Sequence, residues 1–222
     1  MNGLKRLFLK LRSWVIWSFS DTFHNEKDRI VTAAIAAMDK FGAIGCNNHL
    51  LFHNKQDMAY FKEITKDSIV IMGRKTFDSL KKPNGLPGRL NLVVSRTKHP
   101  WSDSVYWFTS YEKAMRFALA YSWKTSRCEK KVFVIGGEQI YHKALEYEQR
   151  YSIDYIYATI FNEAAAIYDA KFPIHSTIYC QRYVKCEQRS IDNGNGIVVG
   201  TISIYALPDK VSLGIKLRLP KI

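Results

Sequence analysis

The sequence predicts an α/β fold: a single domain with a central, mostly parallel twisted sheet flanked by helices and an antiparallel C-terminal hairpin. Three observations lead there. Residues 30–38 (IVTAAIAAM), 68–73 (SIVIMG), 90–95 (LNLVVS) and 130–137 (KKVFVIGG) are apolar runs with little polar alternation, as for strands buried on both faces. Segments with helical spacing separate these runs, and strands alternating with helices give a parallel sheet. Residues 179–190 (YCQRYVKCEQRS) and 196–207 (GIVVGTISIYAL) flank IDNGNG, an Asn-Gly-rich turn of the kind that closes a hairpin.

The elements follow in order from residue 30. IVTAAIAAM is the first strand, and DKFGAIGCNNHLLF (39–52) reads as a Gly- and Asn-containing loop. A helix runs from about Asn54 to Thr65. SIVIMG is the second strand, RKTFDSL (74–80) a short helix directly after its glycine, and KKPNGLPGR (81–89) a turn. LNLVVS is the third strand. Residues 110–123 have helical spacing through Ala114, Phe117, Ala118 and Tyr121. KKVFVIGG is the fourth strand, EQIYHKAL (138–145) the helix after it, and IDYIYATIF (153–161) the fifth strand.

The 222 residues suit one domain with extensions, placed at 30–207, and 47% hydrophobic content is enough for a full core. The formal charge of +13 favours anionic partners such as nucleic acid, acidic membrane or phosphorylated small molecules. Charge alone does not choose among these, and no recognition motif accompanies it, so no nucleic-acid partner is expected. No apolar run reaches the length of about eighteen residues that a membrane-spanning helix needs. Cys46, Cys128, Cys180 and Cys186 have neither CxxC spacing nor His at ligand spacing, and the six His are scattered. The expectation is a cytoplasmic, monomeric protein with reduced thiols and no metal site.

Residues 1–29 stand apart as a basic extension and linker. In LKRLFLKLRSWVIWSF (4–19), Leu4, Phe8, Leu11 and Val15 recur at helical spacing among Lys5, Arg6, Lys10 and Arg12. Contact with a membrane surface or a protein is one reading, and a signal peptide or a transit-like leader are others. A helix packed on the domain, or a start with little role, is equally open. Residues 208–222 form a basic tail without an assigned place.

The chemistry concentrates at a few stretches. In HNKQDMAYFK (53–62), Asn54 suits an N-cap and Asp57 the third helical position, a capping-box arrangement that also favours the helix dipole. Asp57 also stands one turn before Phe61 on the apolar face, so a functional acid is the competing reading. IVIMGRKT puts Arg74, Lys75 and Thr76 at a helix start directly after Gly73, and VFVIGGEQIY puts Gly136 and Gly137 at another. Free N–H groups at helix N-termini bind anions, and ligands in open α/β sheets sit beyond the carboxyl ends of strands. Two such junctions suit a dinucleotide, although neither GxGxxG nor GxxxxGK[ST] is present. Arg89 is either a solvated arginine after a turn or a clamp on a carboxylate or phosphate, and Thr159 is a β-former in a strand.

Taken in order, Ile44-Gly45, Asp57 with AYFK, IVIMGRKTFDSL, LPGR, VFVIGG with IY, and DAKFP resemble the dihydrofolate reductase family across residues 30–207. The resemblance implies a dihydrofolate reductase-like fold and NADPH-dependent reduction of dihydrofolate, with Asp57 as the acid on the pterin's amidine-like edge. It implies substrate contacts at Ile35, Met58, Phe61, Leu80, Leu86, Arg89, Ile135 and Thr159. Among these, Arg89 pairs with the α-carboxylate of the substrate's glutamate and Thr159 supports the acid. It implies cofactor contacts at Ala37, Ile44, Gly45 and Gly73, at Arg74, Lys75 and Thr76 on the phosphates, and at Ser95 and Arg96 on the 2′-phosphate. Gly136, Gly137, Glu138, Gln139, Ile140 and Tyr141 complete that set.

One departure stands out. Leu51-Phe52 occupies the place where the family's active-site loop usually carries Pro-Trp. Phe lacks an indole N–H, and a loop without proline has more freedom, so altered turnover is expected rather than lost activity. A riboflavin-pathway reductase shares the general fold but lacks the Asp-x-x-x-Phe-Lys helix of Asp57–Lys62. A non-catalytic binding or assembly protein on the same fold remains the other alternative.

Overall fold

The computed structural model describes residues 30–97, 99–100, 102–124, 131–146 and 153–211. The extension at 1–29 and the tail beyond 211 lie outside the described residues.

The elements are β1 (Val31–Asp39), β2 (Ala43–Cys46), β3 (His49–Leu50), α1 (Lys55–Ile64), β4 (Ile69–Gly73), α2 (Arg74–Ser79), β5 (Leu90–Val94), β6 (Val105–Phe108), α3 (Tyr111–Lys124), β7 (Lys131–Val134) and α4 (Glu138–Leu145). There follow β8 (Tyr155–Phe161), β9 (Ala170–Lys171), a π-turn (His175–Tyr179), β10 (Val184–Asp192), β11 (Val198–Ala206) and α5 (Pro208–Val211). An eight-stranded sheet has the order β10-β11-β8-β1-β7-β4-β5-β6. The six strands from β8 to β6 run parallel. β11 pairs antiparallel with β8, and β10 with β11, which is the hairpin expected from the sequence.

The apolar runs follow from burial on both faces. One face packs Ala34, Ile69, Ile71, Val132 and Val134 against Met115, Ala118, Ala144 and Leu145 of α3 and α4. The other packs Ala33, Ile35, Val70, Met72 and Phe133 against Tyr60 of α1. Neighbours such as Ile71 and Met72 therefore face opposite ways yet are both fully buried, so no polar alternation is needed.

The loop expected over 39–52 is corrected. It contains β2 and β3, which form a three-stranded sheet with β9. Asn47 (φ 52) and Asn48 (φ 61) make the two-residue turn between β2 and β3, in the left-handed conformation that such hairpins require. The loop's root is fixed by Asp39, which is fully buried. Its carboxylate accepts from the N–H groups of Phe41 (2.8 Å), Ala43 (2.9 Å) and Ala165 (3.0 Å). β6 is a further strand not read from the sequence; it adds an edge of four residues beside β5. The tail opens with α5, where Lys210 Nζ meets Asp154 Oδ1 at 3.1 Å.

Candidate active site

Asp57 is placed by its helix and held by the sheet. Asn54 caps α1: its Oδ1 accepts from the Asp57 N–H at 3.0 Å. Tyr60, one turn on, is buried in the core and seats the helix against the sheet. The Asp57 carboxylate turns inward, is only 8% exposed, and its Oδ1 accepts from Thr159 Oγ1 at 2.6 Å. Thr159 pairs with Ala37 across β8 and β1, and Tyr157 with Ile35, so the first strand lies beside the acid's partner. Burial raises the Asp57 carboxyl above its usual value, and the Thr159 hydrogen bond opposes part of that rise. Asp57 therefore serves the first turn of α1 and still presents a buried carboxylate.

The apolar residues expected around this acid divide into two sets. Ile35 and Leu86 are buried, and Phe61, Leu80 and Ile135 are half-buried against the same core face. Met58 is 47% exposed, so it stands at the rim of α1 rather than within the buried wall. Phe52 is anchored: its ring stacks on Phe161 with centroids 4.5 Å apart and 13° between planes. Phe161 lies two residues beyond Thr159 on β8. The extra freedom expected of this loop is thus opposed at Phe52 by an aromatic contact.

Arg89 reaches α1 from the turn before β5. Its Nη1 donates to Thr65 Oγ1 (2.9 Å) and its Nε to Pro87 O (3.1 Å), while Thr65 Oγ1 donates to Phe61 O (2.7 Å). Burial lowers the guanidinium from its usual value against the pull of Asp67, and an arginine so shifted stays charged at neutral pH. The turn itself is built by Asn91, a residue the sequence reading passed over. Its Oδ1 accepts from Leu86 N (2.9 Å), and its Nδ2 donates to the carbonyls of Leu86 (3.1 Å), Arg89 (3.0 Å) and Ser104 (3.2 Å). Gly85 (φ +68) is required there, since a Cβ would meet Asn91 Cγ at 2.5 Å.

The two strand-to-helix junctions come together. Gly73 N donates to Gly136 O at 2.7 Å, and the Gly136-Gly137 peptide is cis. Gly73 and Gly137 are the N-caps of α2 and α4, and no side chain caps either helix. A Cβ at Gly137 would stand 3.3 Å from Thr76 Oγ1, and one at Gly73 would stand 3.2 Å from Ile140. The backbone is thus bare where an anion would approach, as a dinucleotide's phosphates require. Tyr141 is buried behind Gly136 and donates to Ile35 O at 2.7 Å. Ile44 is buried and Gly45 half-buried on β2, near the end of β1 that carries Ala37.

The basic residues at these junctions are exposed. Arg74 pairs with Asp78 at 3.1 Å on the surface of α2, and Lys75, Arg96 and Gln139 face solvent. Glu138 is half-buried and Ser95 buried. Ser95 heads a polar cluster that sequence reasoning missed. Its Oγ meets Thr97 Oγ1 (3.0 Å) and His99 Nε2 (3.3 Å), and the His99 ring stacks on Trp107 at 4.0 Å. Among the described residues, no group of three or more His, Cys, Asp or Glu could hold a metal, and no helix is long and apolar enough to cross a membrane.

These features have counterparts among known proteins. The sequence model of dihydrofolate reductase matches residues 31–201. The dihydrofolate reductase type 9 of Escherichia coli is 39% identical over 127 residues, covering 56% of this chain and 67% of that protein. The dihydrofolate reductase type 3 of Salmonella typhimurium is 34% identical over 131 residues, 59% of this chain and 75% of its own. In structure, a dihydrofolate reductase from Enterococcus faecalis complexed with NADP(H) and RAB-propyl superposes with a TM-score of 0.64 at 25% identity, covering 81% of this chain and 97% of that one. On a match that spans most of its sheet and both glycine junctions, the chain belongs to the dihydrofolate reductase family.

Proposed function

We propose that this protein reduces 7,8-dihydrofolate to tetrahydrofolate with NADPH. A hydride goes to the pterin imine carbon and a proton to the adjacent ring nitrogen. The observation that carries the reading is Asp57: a carboxylate 8% exposed, held by Thr159, in a chain of this family.

A buried carboxylate suits two parallel donors on a heterocycle's edge, since a ring without them leaves the acid unpaired. Asp57 binds and orients the pterin by that edge. Its negative charge favours protonation of the reacting ring's nitrogen, with the proton arriving through water. Arg89, oriented by Thr65 and Pro87, holds the α-carboxylate of the substrate's glutamate. Ile35, Phe61, Leu80, Leu86 and Ile135 exclude water from the ring, with Met58 at the rim. NADPH, when bound, supplies the hydride. Thr76, Gly136 and Gly137 would hold its phosphates by backbone and hydroxyl donors, with Arg74 and Lys75 adding charge, while Gly73, whose N–H is bonded to Gly136 O, would let them approach closely. Ser95 and Arg96 would take the 2′-phosphate, while Ala37, Ile44, Gly45, Ile140 and Tyr141 would line the nicotinamide end. Glu138 and Gln139 open α4, whose N-terminus would face the phosphates.

The test is NADPH oxidation by the purified chain with and without dihydrofolate, with tetrahydrofolate identified as product. Dihydrofolate-dependent oxidation supports the reading. A folded chain that binds NADPH but gives no tetrahydrofolate refutes it.

A further inference from the structure

Asp57 is gripped from a third direction that the proposed chemistry does not use. Asn54, whose Oδ1 holds the Asp57 N–H, donates its own Nδ2 to the carbonyl of Asp192 at 2.7 Å. Two residues on, Gln56 makes a reciprocal pair with the same residue: Gln56 Nε2 donates to Asp192 Oδ2 at 3.1 Å, and Asp192 N donates to Gln56 Oε1 at 3.2 Å. The other carboxylate oxygen, Oδ1, accepts from Gly194 N at 2.6 Å and so is anchored in its own turn. Asp192 is the last residue of β10, and the β10–β11 register shifts between Ile191 and Asp192. Such a bulge turns a residue out of its ladder, here toward α1.

Three bonds to one residue more than 130 positions away tie the first turn of α1 to the tip of the C-terminal hairpin. The Asn54 amide cannot rotate without losing either the Asp57 N–H or the Asp192 carbonyl. A free N-cap residue would have only the first of these. The tie thus fixes the cap that fixes Asp57, while Thr159 fixes the carboxylate from the sheet.

We propose that Asp192 and Gln56 are positioning residues for Asp57: the hairpin tip sets the first turn of α1, and through the Asn54 cap the place where the acid meets the substrate. The inference rests on the reading of Asp57 given above. Asp57 departs from its seat when the tie is cut, and water enters beside it. Substrate binding weakens, and the carboxyl relaxes toward its usual value because desolvation is what raises it. The glycine junctions after β4 and β7 share no hydrogen bond with Asp192 or Gln56 and keep their geometry.

The experiment compares Gln56→Leu, which removes both Gln56 bonds, with Asp192→Asn, whose single carboxamide oxygen can accept from Gln56 Nε2 or from Gly194 N but not from both, so that one bond is lost. Gln56→Leu should raise the dihydrofolate KM by up to about tenfold, since substrate binding must then order the first turn of α1 that the two bonds hold in the free protein. It should shift the acid limb of the kcat/KM profile to lower pH and leave the NADPH Kd unchanged. Asp192→Asn should change the KM and the pH profile in the same direction but by less, about threefold in KM, because it loses one bond rather than two. A folded Gln56→Leu with lower thermal stability but unchanged KM and pH profile overturns the proposal. Gln56→Asn, one methylene shorter, replaces it should Gln56→Leu not fold, with the same expectations and the same refutation. A natural chain without dihydrofolate turnover refutes the functional reading instead, so the two failures are distinguishable.

Discussion

Thr159→Val removes one hydroxyl and keeps the side chain's shape. The hydroxyl lies 2.6 Å from Asp57 Oδ1, and both residues are more than nine-tenths buried. A hydrogen bond to an ionised group contributes about 1.5–3 kcal/mol, because the buried charge otherwise has no solvent to replace it. The bond favours the carboxylate, so its loss raises an Asp57 carboxyl that burial already holds high. The sign for stability follows. A carboxyl raised in the folded state binds a proton there before it does in the unfolded chain. Its contribution is therefore full below the unfolded value and is lost as pH rises through the folded value. The variant's destabilisation should thus be greatest at neutral pH, at about 1.5–3 kcal/mol, and shrink as acidification protonates Asp57 in both proteins. Urea unfolding at the two pH values measures it. At neutral pH kcat/KM for dihydrofolate should fall about tenfold or more, since 1.4 kcal/mol is one decade. Equal destabilisation at both pH values would refute the account, because it would mean that Thr159 acts by packing and not on the charge.

Arg89→Leu should raise the dihydrofolate KM by about ten- to a hundredfold with the NADPH Kd unchanged, and Arg89→Lys should recover little, since lysine lacks the planar fork. Gly136→Ala places a Cβ 2.9 Å from the Tyr141 ring at φ +106, so both a steric shift and backbone strain apply. A loss of about 1–3 kcal/mol in stability and weaker NADPH binding should be read by urea unfolding and cofactor titration. Phe52→Ala deletes the stack on Phe161 and should cost about 0.5–1.5 kcal/mol beyond the lost burial, with a changed kcat in steady-state assays.

The strands and helices were legible because they are long and because burial on both faces writes itself as an unbroken apolar run, as in Ser68–Gly73. What escaped was short or was held from a distance. β3 and β9 have two residues each, too few for a period, and only the Asn47-Asn48 pair hinted at the hairpin turn. β6 is a four-residue edge after a turn. The site divides in the same way. Asp57 and the glycines sit at recognisable positions along the chain. Thr159 meets Asp57 only through the register of β8 on β1, 102 residues away, and no local pattern encodes that contact. Asn91 left one usable signal, a polar amide inside LNLVV that the core would not tolerate unless it were bonded on every side. Gln56 left none, since its partner lies at the far end of the chain.

The most direct test of the central claim is the pH profile of dihydrofolate reduction by Asp57→Asn beside that of the natural chain. The account predicts turnover that collapses at neutral pH in the variant and partly returns in acid, where the substrate arrives already protonated. An Asp57→Asn protein that reduces dihydrofolate at neutral pH as fast as the natural chain would contradict it.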